Sequence, residues 1–177
     1  MRDILLSQRI IVAYDTRNGS TAEIAEAITS QLRENGFEVE IFRAGKLRRL
    51  RGVDALVVGA PIYSGRWLRG AHRLLKRVKK LSPEARPPVA IFALGPRKDT
   101  GPEDWIKPRE QFERALRKHP SITPVSTALF GGADPPGKRP RRDIRDWNEI
   151  RAWTEEVARL FVGGDPGNHT EQAGSSD

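Results

Sequence analysis

Apolar runs and helix-period stripes alternate along this chain. Residues 10–14, Ile-Ile-Val-Ala-Tyr, form a continuous apolar run that reads as a first strand. Ala22, Ala25, Ile28 and Leu32 then recur at the spacing of a helix that buries one face, and Asn35-Gly36 stops it. Phe37, Val39 and Ile41 alternate with Glu38 and Glu40. This second strand has one wet face, as an edge strand does. A linker or helical turn over 43–52 leads to residues 55–60, which are apolar without alternation, as a central parallel strand covered on both faces should be. Leu68, Ala71, Leu75 and Val78 stripe a second helix, and Pro87-Pro88 ends the connection. Residues 89–94 read as a fourth strand. Residues 103–118 read as a helix, with Trp105, Phe112, Ala115 and Leu116 as its buried positions. A fifth strand spans 125–130. Ile144, Trp147, Ile150, Val157 and Leu160 stripe a final helix, with Asp143 as its N-cap.

Strands that alternate with helices predict an α/β fold with one parallel sheet covered on both faces. The edge character of the second strand fits the order 2-1-3-4-5. In such a sheet, ligands bind at the carboxyl ends of the strands, beside the switch point between the first and third. The loops after strands one, three, four and five are therefore the candidate site. Residues 1–162 read as one domain, without repeats. Residues 163–177 lack large apolar side chains and are expected to form a disordered tail.

The loop after the first strand holds Thr16, Arg17, Asn18, Gly19, Ser20 and Thr21, and a helix follows at once. Strand, small polar loop and helix in that order make an anion cradle, because loop N–H groups, hydroxyls and the helix N-terminus converge. Ser20 and Glu23 have the spacing of a capping box, which would start the helix beside the loop. A polar turn with a good cap is the plain alternative, but a cap needs one hydroxyl and this loop has three.

Composition narrows the chemistry. There is no cysteine among the 177 residues, which excludes disulfides, thiolate metal sites and cysteine nucleophiles. His72, His119 and His169 lie far apart in sequence and make no metal-ligand spacing. No Ser-His-Asp set or carboxylate pair is visible. Asp15 stands near the loop, but a phosphoacceptor role would need a Lys after the fifth strand, where Gly131-Gly132 stands. Ile4-Leu5-Leu6 is too short for a secretory signal. No run reaches the roughly 20 apolar residues of a membrane span. A cytoplasmic protein is expected. Net charge is +8, from 31 Lys+Arg against 23 Asp+Glu, which suits an anionic partner. Clusters such as Arg48-Arg49-Arg51 and Lys76-Arg77-Lys79-Lys80 carry no interleaved aromatics. A solvated Arg-rich surface is therefore favoured over nucleic-acid binding.

With Tyr14, Thr16, Gly19, Thr21, Ala25 and Ile28 in place, the chain resembles the flavodoxin superfamily over about residues 9–162. The resemblance implies a three-layer sandwich and FMN as cofactor. Thr16, Arg17, Asn18, Gly19, Ser20 and Thr21 would wrap the FMN phosphate, with Arg17 touching it or pointing into water. The third-strand loop, Gly59-Ala60-Pro61-Ile62-Tyr63-Ser64-Gly65, is similar to the flavin-ring loop of that superfamily. Pro61, Ile62, Tyr63, Ser64 and Gly65 would contact the ring. Either Tyr63 or Trp67 would stack on it, unless Trp67 is a core residue. Gly95, Pro96 and Arg97 of the fourth-strand loop would also contact the flavin. That loop has Arg97 and Lys98 and no aromatic before Trp105. A cation near the flavin N1–O2 edge stabilises the anionic reduced ring, which leans toward a two-electron oxidoreductase over a low-potential carrier.

The F-G-G-A of residues 130–133 and the W-x-x-I-R-A-W of residues 147–153 resemble the menaquinone-dependent protoporphyrinogen oxidase branch. That resemblance implies a quinone or porphyrinogen as redox partner, although this chain's loop is shorter and more basic than the branch's insertion. Lys138, Arg139, Arg141 and Arg142 would lie at the flavin edge, to receive propionates, an acidic protein or a lipid surface, or would belong to a solvated Pro-rich connection. Related proteins are monomers or homodimers. The alternative class is a flavin-free binding module that uses its basic face for nucleic acid or acidic proteins.

Overall fold

A computed structural model describes residues 7–163. Of the expected tail 163–177, Gly163 closes the last helix, and the remainder lies outside the described residues. The elements are β1 (Arg9–Tyr14), α1 (Ser20–Glu34), β2 (Glu38–Arg43), β3 (Ala55–Tyr63), β4 (Arg66–Trp67), α2 (Arg69–Lys79), β5 (Val89–Leu94), α3 (Glu103–Leu116), β6 (Ser126–Phe130) and α4 (Trp147–Gly163). Five strands pair in parallel in the order β2-β1-β3-β5-β6, which is the predicted order 2-1-3-4-5 with one strand interposed in the numbering. The interposed strand is β4, which pairs antiparallel with the end of β3, Ile62 facing Trp67 and Tyr63 facing Arg66.

Two apolar layers flank the sheet, as the period-2 alternation of side chains requires. Ile10 and Val12 of β1 face α1 and α4, where Ile24, Ile28, Leu32, Trp153 and Val157 pack. Ile11 and Ala13 face α2 and α3, with Leu74, Leu75, Val78 and Phe112. β3 and β5 are buried on both faces over residues 55–60 and 89–94, as their unbroken apolar runs predict. Among the described residues, no helix is long and apolar enough to cross a membrane.

Four expectations are corrected. The capping box at Ser20 is absent: Gly19, at φ 93°, is the N-cap, and no side chain caps α1. Glu23 instead pairs with Arg145, at 2.6 Å, and with Arg141, at 3.5 Å. The N-cap of α4 is Asp146, whose Oδ1 accepts the N–H groups of Asn148 (2.9 Å) and Glu149 (3.1 Å). Asp143 turns to Arg145. The α4 stripe is rotated relative to its expected register: Trp153 and Phe161 are buried, while Trp147 and Leu160 are exposed. On α3, Phe112 and Ala115 are buried but Trp105 is half-buried, its indole N–H donating to Asp99 Oδ1 at 3.0 Å.

Candidate functional site: a cleft at the carboxyl edge of the sheet

The site is built where β1, β3, β5 and β6 end. Past Tyr14, Asp15 turns the chain. Its N–H donates to the Gly59 carbonyl at 2.9 Å, its Oδ1 accepts the Thr16 N–H at 2.9 Å, and its Oδ2 accepts the Gly70 N–H at 2.9 Å. Asp15 is thus a bracket between the first loop and the start of α2. A Cβ on Gly70 would collide with that carboxylate.

The Thr16 hydroxyl oxygen accepts the Gly19 N–H at 2.9 Å, which closes the loop into a tight turn. Gly19 tolerates its left-handed backbone because it lacks a Cβ. Helix α1 then starts at Ser20 with its first N–H groups unclaimed by any side chain. Thr21 is fully buried, and its hydroxyl is one of two buried side-chain polar atoms among the described residues without a partner. An uncapped helix start beside an orphaned hydroxyl suits an anion. Glu23 would put negative charge in that first turn. The buried Arg145 and the half-buried Arg141 neutralise it, and Arg145 also donates to the Ser20 carbonyl at 3.4 Å.

Opposite this loop, β3 continues through Pro61, Ile62 and Tyr63, so these three are strand residues and not loop residues. Ser64, at φ 48°, and Gly65, at φ 75°, form the two-residue turn into β4. Trp67 is 2% exposed, and its indole N–H donates to the Ala60 carbonyl at 2.9 Å. The core role of Trp67 is therefore the one observed, and it faces Phe112 and His72. Tyr63 is half-buried, and the Arg17 guanidinium lies over its ring, 4.2 Å from the centroid.

The third wall comes from β5 and β6. Gly95 and Arg97 follow β5, and Gly132 and Ala133 follow β6. The Gly132 N–H donates to the Pro96 carbonyl at 2.7 Å. A Cβ there would stand 3.2 Å from Arg97 Cγ and from the Gly95 carbonyl oxygen. Asp134 is wholly buried and accepts from Arg142 Nε at 2.9 Å and Arg97 Nη1 at 3.3 Å, with Lys138 Nζ at 3.5 Å. The hydrogen bonds from Arg142 hold its carboxyl well below the usual carboxylate range. Lys98 turns away to Asp104, at 3.0 Å, and Arg141 Nε donates to the Asp134 carbonyl at 2.9 Å. Arg139 donates to the carbonyls of Pro136 and Lys138. The basic loop is thus folded around internal acceptors.

These walls line a narrow cleft that opens to solvent. Of the residues expected at the site, Thr16, Arg17, Asn18, Ser20, Pro61, Ile62, Tyr63, Gly95 and Arg97 line it. Leu94, Gly132 and Ala133 line it as well. Gly19, Thr21, Ser64, Gly65 and Pro96 do not. Gly19 and Thr21 shape the helix start behind the lining, Pro96 holds Gly132, and Ser64-Gly65 is the hairpin tip beside Gln111. Asp134 and Arg145 escaped sequence reasoning, because the contacts that tie them to the site walls, with Arg97 and with Glu23, span 37 and 122 residues.

The flavodoxin domain profile matches residues 11–134 of this chain. No curated protein matches it. Among solved structures, a point mutant of the flavodoxin from Pseudomonas aeruginosa shares 14% identity over 88% of this chain and 100% of its own, with a TM-score of 0.62. The flavodoxin of Streptococcus pneumoniae TIGR4 shares 17% over 89% and 99%, at 0.58. The rubredoxin oxygen:oxidoreductase of Desulfovibrio gigas shares 17% over 88% of this chain, at 0.56, but the match spans only 36% of that larger protein. At such identities the structures attest the fold alone. The profile covers more than two thirds of the sequence, and on that match the chain belongs to the flavodoxin-domain family, whose fold carries flavin for electron transfer.

Proposed function

We propose that this protein binds FMN in the cleft and works as an oxidoreductase, passing electrons or hydride to or from a quinone, a porphyrinogen or a protein partner. The observation that carries the reading is the start of α1, behind the lining residues Asn18 and Ser20: left-handed Gly19, a helix N-terminus without a side-chain cap, and the orphaned Thr21 hydroxyl. These donors fit a phosphate ester, and Tyr63 offers a ring for stacking. Bound FMN would supply a centre that accepts and releases one or two electrons.

The chain's own residues would do the rest. The hydroxyls and N–H groups of residues 16–21 would hold the phosphate, backbone from residues 61–65 and 95–97 would meet the ring, and Arg97 would set its charge environment. Asp134 limits how far Arg97 can move toward a ligand. We place the protein in the cytoplasm as a monomer or homodimer. Titrating the purified protein with FMN, read by flavin fluorescence quenching and the bound absorption spectrum, tests the reading. Colourless protein that takes up no added FMN would defeat it, leaving the flavin-free binding module. Reduction of the loaded protein with NAD(P)H or protoporphyrinogen, and reoxidation with quinones, would then identify the partner.

A further inference from the structure

Several cations surround the cleft, and they differ in what holds them. Arg97 is tied to buried Asp134, and Arg142 to the same carboxylate at 2.9 Å. Lys98 is paired with Asp104, and Arg145 with Glu23 and Asp143. Arg43 donates to the Thr16 carbonyl at 3.2 Å. Arg17 is different. It is exposed, has no carboxylate partner among the described residues, and rests on the Tyr63 ring. The neighbouring carboxylate, Asp15, already serves the N–H groups of Thr16 and Gly70. The seat on Tyr63 is therefore a weak one, worth only a few-fold in an equilibrium at an exposed position.

That seat also lies in the cleft itself, since Arg17 and Tyr63 both line it. A planar ring stacking on the covered face of Tyr63 must first displace the guanidinium. Arg17 belongs to the same loop as Asn18 and Ser20, so a phosphate held by that loop would offer the displaced cation a stronger, charge-assisted partner. A ring without a phosphate offers none.

We propose that Arg17 is a specificity-determining residue with two seats, covering the Tyr63 ring against unphosphorylated flavins and moving to the phosphate when a phosphorylated flavin enters. The inference rests on the flavin reading above. It makes the residue a filter: the ligand that lacks the phosphate bears the displacement cost without compensation.

The test compares FMN with riboflavin on the wild-type protein, Arg17→Ala and Arg17→Lys, by quenching of flavin fluorescence. Far-UV circular dichroism checks that each variant is folded. Arg17→Ala is expected to bind riboflavin about three-fold tighter than wild type, because the ring is uncovered. The same variant should bind FMN about ten-fold more weakly, so the preference for FMN falls about thirty-fold. Arg17→Lys keeps the charge but stacks less well, and should tighten riboflavin while keeping FMN within a few-fold of wild type. Wild-type affinity for FMN, but not for riboflavin, should fall with added salt. Equal changes for both ligands, or riboflavin weakened or unchanged in Arg17→Ala, would overturn the two-seat filter while leaving FMN binding intact. A wild-type protein that binds neither flavin would overturn the flavin reading and the filter together.

Discussion

Thr21 buries a hydroxyl that bonds to nothing, and such a group costs stability unless a ligand uses it. Thr21→Val keeps the shape and removes the oxygen. The variant should unfold at equal or higher urea, by up to about 1 kcal/mol, while FMN affinity drops about ten-fold. A loss of stability together with unchanged FMN affinity would mean that the hydroxyl serves packing alone. Gly59 presents the opposite case, where a missing atom matters. A Cβ there would clash with Cζ, Cε1 and Cε2 of the Phe92 ring, which is fully buried. That ring cannot step aside, because Phe130 and Trp153 lie 5.9 Å from it and 5.6 Å from each other, centroid to centroid. Gly59→Ala should cost about 3 kcal/mol, read as a lower urea midpoint at unchanged slope. Sequence reading placed Gly59 near the end of a central strand, whereas β3 runs on to Tyr63 and Gly59 lies inside it. Its close approach to Phe92 depends on the register of β3 against β5, which no local pattern encodes.

Among the elements, the five parallel strands were legible because continuous apolar runs and one alternating run sort central strands from an edge. Helix ends and faces were less so. Asp143 and Asp146 are both good N-cap residues three positions apart, and only the ion pair of Asp143 with Arg145 decides between them. Likewise Trp147 and Trp153 both fit a helical stripe, and the aromatic cluster with Phe92 and Phe130 selects Trp153. The β4 hairpin was missed because its turn is only Ser64-Gly65 and its second strand is two residues long. The cap assignment has a direct test. Asp146→Ala should lower stability by about 1 kcal/mol and fray the start of α4, visible as faster amide exchange at Asn148 and Glu149. If exchange at those two amides is unchanged, the cap role of Asp146 is wrong.

At the scale of the whole molecule, His72 and His119 lie 47 residues apart, yet the fold joins them. His72 Nδ1 and His119 Nε2 are 2.7 Å apart, one donating and the other accepting, with the rings stacked at 5.0 Å. The wide separation that argues against a metal site in the sequence hid this pair. His119 is 4% exposed, and Lys76, Lys79 and Lys118 stand around the two rings. Burial, then His119, Lys118 and Lys76, lowers the His72 pKa from 6.5 to about 4. Burial and the same lysines lower that of His119 as well. Both rings are thus held neutral in the fold, while the unfolded chain takes up protons below about pH 6.5. A group with a lowered folded pKa contributes stability that is fully present above its unfolded pKa and is lost as pH falls toward its folded value. Stability should therefore decline between about pH 6.5 and about 4. Asp104, lowered to about 2, and Asp134 still lower, add their own losses only at the acid end of this window and below it. Glu149, whose carboxyl burial and Asp146 push up, acts with the opposite sign close to pH 4.5. His72→Gln separates these contributions, since an amide can still hydrogen-bond to His119 but does not titrate. Urea midpoints measured across about pH 7 to 4.5 should fall steeply for wild type and by about one proton's worth less for His72→Gln. Parallel curves for the two proteins would show that His72 charges as readily in the fold as outside it.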